Sequence, residues 1–238
     1  MEKHEIDFYG EAMCKVFNFE KHAIVRNDTA QYLSSHPKQW KSFGGSWDAM
    51  FWRFRAMYDS SNYSIESILK STAPNFEDRY LQERHLFEFY SNALSTIEIS
   101  FYCIYCLASI KVESNFKFDS EKTLSNIRPD TVLLLFSKHY SSISLTQLLV
   151  SVCQDQNYKD LKKFRDFFSH RGTLNRAHYF TIGDGSSLIT AIPSNPKELS
   201  TNWLFDIHLN ESLIKAKCDW TVKTINLLIG EIEEFTKL

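Results

Sequence analysis

Apolar side chains recur at three- and four-residue steps along most of this chain, the spacing that stacks them on one face of an α-helix. Ile6, Tyr9, Met13, Val16 and Phe17 form one such stripe, and a helix is expected over residues 5–19. From Pro37 to Tyr58 a second stripe runs through Trp40, Phe43, Trp47, Phe51, Phe54 and Tyr58, with Gly44-Gly45 expected to break or kink it. Asn75, after Pro74, is placed to cap a long helix that reaches Ile110 and carries Tyr80, Phe87, Leu94, Ile97, Phe101, Ile104 and Leu107. Only 7 Gly and 5 Pro occur in 238 residues, so the chain has few places to turn, which favours long helices over a many-stranded all-β fold.

Residues 111–127 are polar and aperiodic and are expected to form a surface loop. Pro129 then opens a short helix to about Tyr140. Ser144-Leu-Thr-Gln147 has the form of a capping box and starts another, ending near Cys153. A helix from Asp155 to Arg171 follows, with Gly172 placed to terminate it. Residues 178–182 and 187–192 are β-prone runs flanking Gly183-Asp-Gly185, a hairpin signal, and Trp203 to Leu209 is a candidate third strand. Asn210 caps a final helix to about Phe235, with Leu213, Trp220, Ile225, Leu228 and Ile232 on its buried side. The expected architecture is a mainly α, up-and-down bundle forming a single domain over residues 1–238. A small β insertion at about 178–209 precedes the last helix.

Several function classes lose their support at this stage. A net charge of −2 excludes a globally basic coat for nucleic acid, though not a local patch. Cys14, Cys103, Cys106, Cys153 and Cys218 are odd in number and widely spaced, unlike a secreted disulfide framework. Met1 to Asp7 is charged and lacks a signal-peptide core. Ile97 to Ile110, interrupted by Glu98 and Ser100, is too short to span a bilayer, so a cytoplasmic protein without a membrane partner is expected. No phosphate-binding Gly-x-x-x-x-Gly-Lys loop occurs. Cys103-x-x-Cys106 has zinc-like spacing but no second Cys or His pair nearby, and buried thiols are expected there; no metal or other cofactor is called for. The aromatic stripe at 40–58, with Arg53 and Arg55 beside it, has the helical spacing of core packing rather than of a base-stacking surface.

One segment stands apart. Between Lys159 and Arg176 six basic residues face two acidic ones, a local excess suited to phosphate. On a helix, at about 100° per residue, Leu161, Phe164 and Phe168 align toward the core while Arg165, Asp166, Ser169 and His170 spread over the opposite side. Asp166 and His170 lie four apart, so the carboxylate can fix the imidazole tautomer and favour its protonated form, as does the helix end. The pKa of His170 is therefore expected above its ordinary value. An arginine that grips phosphate beside a histidine poised for proton transfer is a minimal phosphodiester-cleaving pair. RNA brings its own nucleophile, the 2′-OH, so this chemistry requires no hydrolytic metal.

Arg165-Asp166-Phe167-Phe168-Ser169-His170 resembles the signature of the HEPN superfamily, Arg-x(4–6)-His with a polar residue commonly after the Arg. The bare spacing also occurs at Arg79–His85 and Arg171–His178, but Tyr80 and Gly172 stand where the polar residue belongs. HEPN proteins are helical bundles, typically dimeric, and many are metal-independent endoribonucleases acting as toxins, antiphage effectors or RNA-processing enzymes. The resemblance implies that Arg165 binds the scissile phosphate, Asp166 orients His170, and His170 is the general base or acid. Ser169, Arg171, Lys162 and Lys163 are the candidate RNA and phosphate contacts. It implies an RNA substrate, a homodimer whose motifs meet at a cleft, and an antitoxin or sensor protein as a regulator. The alternative is a catalytically silent helical module that binds nucleotide, RNA or a partner protein through the same basic face.

Overall fold

The computed structural model describes residues 11–70, 76–170, 178–181, 187–190 and 211–238. Helices α1 (Glu11–Val16) and α2 (Phe19–Thr29) lead through a 3-10 turn, Ala30–Leu33, into two long helices, α3 (Pro37–Lys70) and α4 (Phe76–Lys111). Four shorter helices follow: α5 (Glu121–Ser125), α6 (Pro129–His139), α7 (Ser144–Gln154) and α8 (Gln156–His170). Two strands, β1 (His178–Thr181) and β2 (Ser187–Thr190), pair antiparallel with His178 opposite Thr190 and Thr181 opposite Ser187. The last element is α9 (Glu211–Lys237). The candidate third strand at 203–209, and the caps at Asn75 and Asn210, lie outside the described residues.

Cross-helix contacts set the directions of the bundle. Between α3 and α4 they join Met50 to Ser100, Arg53 to Asn92, Ser60 to Glu88 and Tyr63 to His85, so the two run antiparallel. Tyr90 of α4 stacks on Phe164 and Phe168 of α8, while Glu98 lies near Lys162, which makes that pair antiparallel as well. Asp155 meets Trp220 and Asp160 meets Lys217, so α9 is antiparallel to α8, and Cys218 returns to Ser61 on α3. Four helices thus alternate up and down around an aromatic core. Phe43, Trp47, Phe54, Phe89, Phe101 and Phe164 are all fully buried within it. The stripe at 40–58 packs this core, as its spacing implies: Phe43, Trp47, Phe51 and Phe54 are buried.

Four local expectations are corrected. The helix expected at 5–19 is interrupted after Val16, because Asn18 caps α2 through the Lys21 N–H (3.1 Å). Asn226 of α9 stabilises the break, accepting from the Asn18 N–H (2.9 Å) and donating to the Val16 carbonyl (2.8 Å). Gly44-Gly45 leaves α3 unbroken: the Arg26 guanidinium lies 4.8 Å over the Trp40 ring, and a Cβ on Gly44 would collide with it. The stretch 111–127 contains α5, capped by the Ser120 hydroxyl accepting from the Thr123 N–H (3.2 Å). The capping box at Ser144 does not form; Ile143 is the cap and the Ser144 hydroxyl donates instead to Glu231 of α9.

The apolar run at 97–110 belongs to a helix of 36 residues, long and apolar enough to cross a membrane by length and composition. That corrects the length argument, but 78% of its apolar window is buried by the rest of the bundle.

Candidate functional site

Helix α8 carries the motif on an amphipathic frame. Tyr158, Leu161, Phe164 and Phe167 are buried, which anchors one face. Phe167 takes the buried place expected for Phe168, which is half-buried. The Tyr90 ring lies against both Phe164 (4.5 Å between centroids, 17° between planes) and Phe168 (5.6 Å, 20°), so aromatic stacking holds the motif-bearing half of α8 to α4.

The opposite face carries the charges. Arg165 is 38% exposed, and its Nε lies 3.0 Å from Asp166 Oδ1. That contact is an ion pair without hydrogen-bond alignment, and Nε is left with no aligned acceptor among the described residues. Asp166 therefore stands beside Arg165, a contact that the sequence did not point to. Lys163 and Ser169 are exposed, and the Lys162 ammonium lies 5.7 Å from the Tyr158 ring centroid. The His170 side chain and Arg171 lie outside the described residues, and with them the expected rise in the His170 pKa.

Sequence reasoning missed Glu98. It is half-buried on α4 at the edge of α8, with Arg165, Lys162 and Asp166 as its charged neighbours. Burial pushes its carboxyl above the ordinary glutamate pKa, and the two cations oppose that shift without cancelling it. The signal was present, since Glu98 is the single acid in the apolar run from Ile97 to Ile110. A carboxyl shifted in this direction holds its proton more tightly than an ordinary glutamate, and a half-exposed guanidinium can bind an oxyanion.

The other candidate side chains are taken up in packing. Cys103 and Cys106 are fully buried, and burial raises both thiols, Cys106 to about 12, which keeps them protonated and inert. No cluster of metal-ligating side chains occurs among the described residues. His85, of the competing Arg79–His85 spacing, faces Glu88 (3.5 Å) and stacks on Tyr63, so it is absorbed in the contact between α3 and α4. His22 stacks on Trp47 (4.7 Å, 8°) and contacts the Trp47 carbonyl, a packing role. Compared with known proteins, the chain matches no family model, no curated protein and no solved structure.

Proposed function

We propose that this protein is a metal-independent endoribonuclease of the HEPN type, acting in the cytoplasm in a toxin or antiphage-defence setting. The observation that carries the reading is the presentation of Arg165: a half-exposed guanidinium on a helix whose other face is locked into an aromatic core, with carboxyls on two sides. In the proposed reaction Arg165 binds the scissile phosphate and Asp166, which lies beside Arg165, orients His170. His170 takes the proton from the RNA 2′-OH, whose oxygen attacks phosphorus. The P–O5′ bond breaks and the leaving oxygen takes up a proton. The products are a 2′,3′-cyclic phosphate and a 5′-hydroxyl end.

A homodimer is part of the reading. Phe76, Tyr80 and Phe87 are 88%, 54% and 42% exposed. Their spacings to one another and to Glu98 return to within about 60° around α4, so an exposed aromatic stripe continues the face that holds Glu98. A second copy covering that stripe would lie beside the motif. Residues 178–209 are read as an insertion into one 1–238 domain, contributed between the motif helix and α9.

RNA digestion in EDTA tests this, comparing wild type with Arg165→Ala and His170→Ala. Cleavage by wild type and its loss in both variants is expected; equal cleavage by all three removes the assignment. A second reading, a silent module that binds RNA, nucleotide or a partner protein, is favoured by one observation: Asp166 Oδ1 lies 3.0 Å from Arg165 Nε, so the guanidinium already has a carboxylate beside it. Salt-sensitive RNA binding without cleavage, lost in Arg165→Ala and kept in His170→Ala, is its outcome.

A further inference from the structure

The end of α8 remote from the motif is tied to α9 by polar groups that the reaction does not use. Asp155 Oδ1 accepts from the backbone N–H of Asn157 (2.7 Å) and from its Nδ2 (3.0 Å), while Oδ2 accepts from Trp220 Nε1 (2.9 Å). Lys217, only 6% exposed, donates from Nζ to Asp160 Oδ2 (2.6 Å) and to Asn157 Oδ1 (2.9 Å). Gln156 Nε2 donates to the other Asp160 oxygen (2.7 Å).

A buried ion pair is a poor source of net stability, because desolvation offsets most of the attraction; apolar side chains of similar size serve as well or better. Its best-attested use is to fix register. Here Nζ reaches both acceptors in one placement of α8 alone. Advancing the helix by one residue would move Asp160 about 1.5 Å along the axis and about 100° around it, leaving the ammonium buried and unpaired. The same step would also carry Phe164 out of its stack on Tyr90, so the clasp and the aromatic face set the register together, one at each end of α8. Arg165 lies five residues beyond Asp160, about 7.5 Å along the same helix, and any shift at the clasp is carried to it.

We propose that Lys217 is a positioning residue: with Asp160 and Asn157 it sets the axial and rotational register of α8 at that end of the helix, and so the placement of the Arg165 guanidinium. This rests on the reading of Arg165 as the phosphate-binding group. Lys217 acts through the helix and touches no substrate.

Two variants of the full chain separate positioning from stability. Lys217→Met/Asp160→Leu removes both charges and keeps the volume, whereas Asp160→Asn keeps an acceptor for Nζ and loses the charge. The double variant is expected to melt at or above the wild-type temperature yet to cleave RNA about a hundredfold more slowly, the scale of a 1 Å misplacement. Asp160→Asn is expected to melt lower and to keep its cleavage rate. Full cleavage by the double variant, or activity that follows melting temperature across the two, overturns the proposal.

The Arg165 Nε–H resonance in a nitrogen–proton correlation spectrum reads the placement without RNA. It should move in the double variant and hold in Asp160→Asn. Asn157→Ala, which removes one acceptor and no charge, should move it in the same direction and serves if the double variant does not fold. An unmoved resonance in the variants that fold overturns the proposal even where wild type cleaves nothing. In that case the ribonuclease reading fails separately.

Discussion

Replacing Tyr90 by Phe is expected to make the protein more stable. Tyr90 is fully buried, and its ring stacks on Phe164 and Phe168, so it is a principal contact between α4 and α8. Its hydroxyl, however, has no hydrogen-bond partner among the described residues. A buried hydroxyl without a partner costs about 1–3 kcal/mol relative to an apolar group of the same shape. Tyr90→Phe removes that cost and keeps the ring, so unfolding free energy should rise by about 1–3 kcal/mol. For a chain of this length each kcal/mol moves the melting temperature by about 2–4 °C. Tyr90→Ala, which removes the ring as well, should lose about 3–5 kcal/mol. Urea titration followed by circular dichroism measures both, with the midpoint and slope fitted separately. A Tyr90→Phe protein less stable than wild type by 1 kcal/mol or more would refute the reasoning, because the hydroxyl would then have a partner, such as a water shared with Asp160.

Alkaline pH should weaken the fold through the thiols of α4. Burial raises Cys106 from about 9 to about 12, and Cys103 also upward, so the unfolded chain releases these protons first as pH rises. Stability is whole below about pH 9 and falls from there toward pH 12; urea midpoints at pH 8 and 10.5 should show the loss, and Cys106→Ala should flatten it. Gly45→Ala should stabilise by about 0.5–1 kcal/mol, since nothing lies within 4 Å of the added Cβ and helix propensity improves. Gly44→Ala should gain less than Gly45→Ala, because its Cβ displaces the Arg26 guanidinium from its place beside Trp40; paired thermal melts of the two variants decide this.

What could be read from the residues was local. Pro129 at the start of α6 and the apolar spacing of α8 carry their signals within a dozen positions, and both helices stand where expected. Three of the misreadings share a cause, in that a partner distant in sequence decided the outcome. Asn226 stabilises the break at Phe17-Asn18, Arg26 occupies the space left by Gly44, and Glu231 draws the Ser144 hydroxyl away from its own helix. At the site, Arg165 and Asp166 were legible as neighbours on an exposed face. Their ion pair was not, since the four-residue step to His170 offered Asp166 a different partner. Glu98 reaches the site only because α4 and α8 pack side by side, a relation that no spacing within α8 encodes.

The ends of the RNA products test the central claim most directly. Oligonucleotides cut by the purified protein should carry 2′,3′-cyclic phosphate and 5′-hydroxyl ends. A substrate with a 2′-deoxyribose at the cleaved position should stay intact, and Arg165→Ala and His170→Ala should each leave all substrates uncut. Products with 5′-phosphate ends, cleavage of the 2′-deoxy substrate, or cleavage that survives both substitutions would contradict 2′-OH attack assisted by Arg165 and His170.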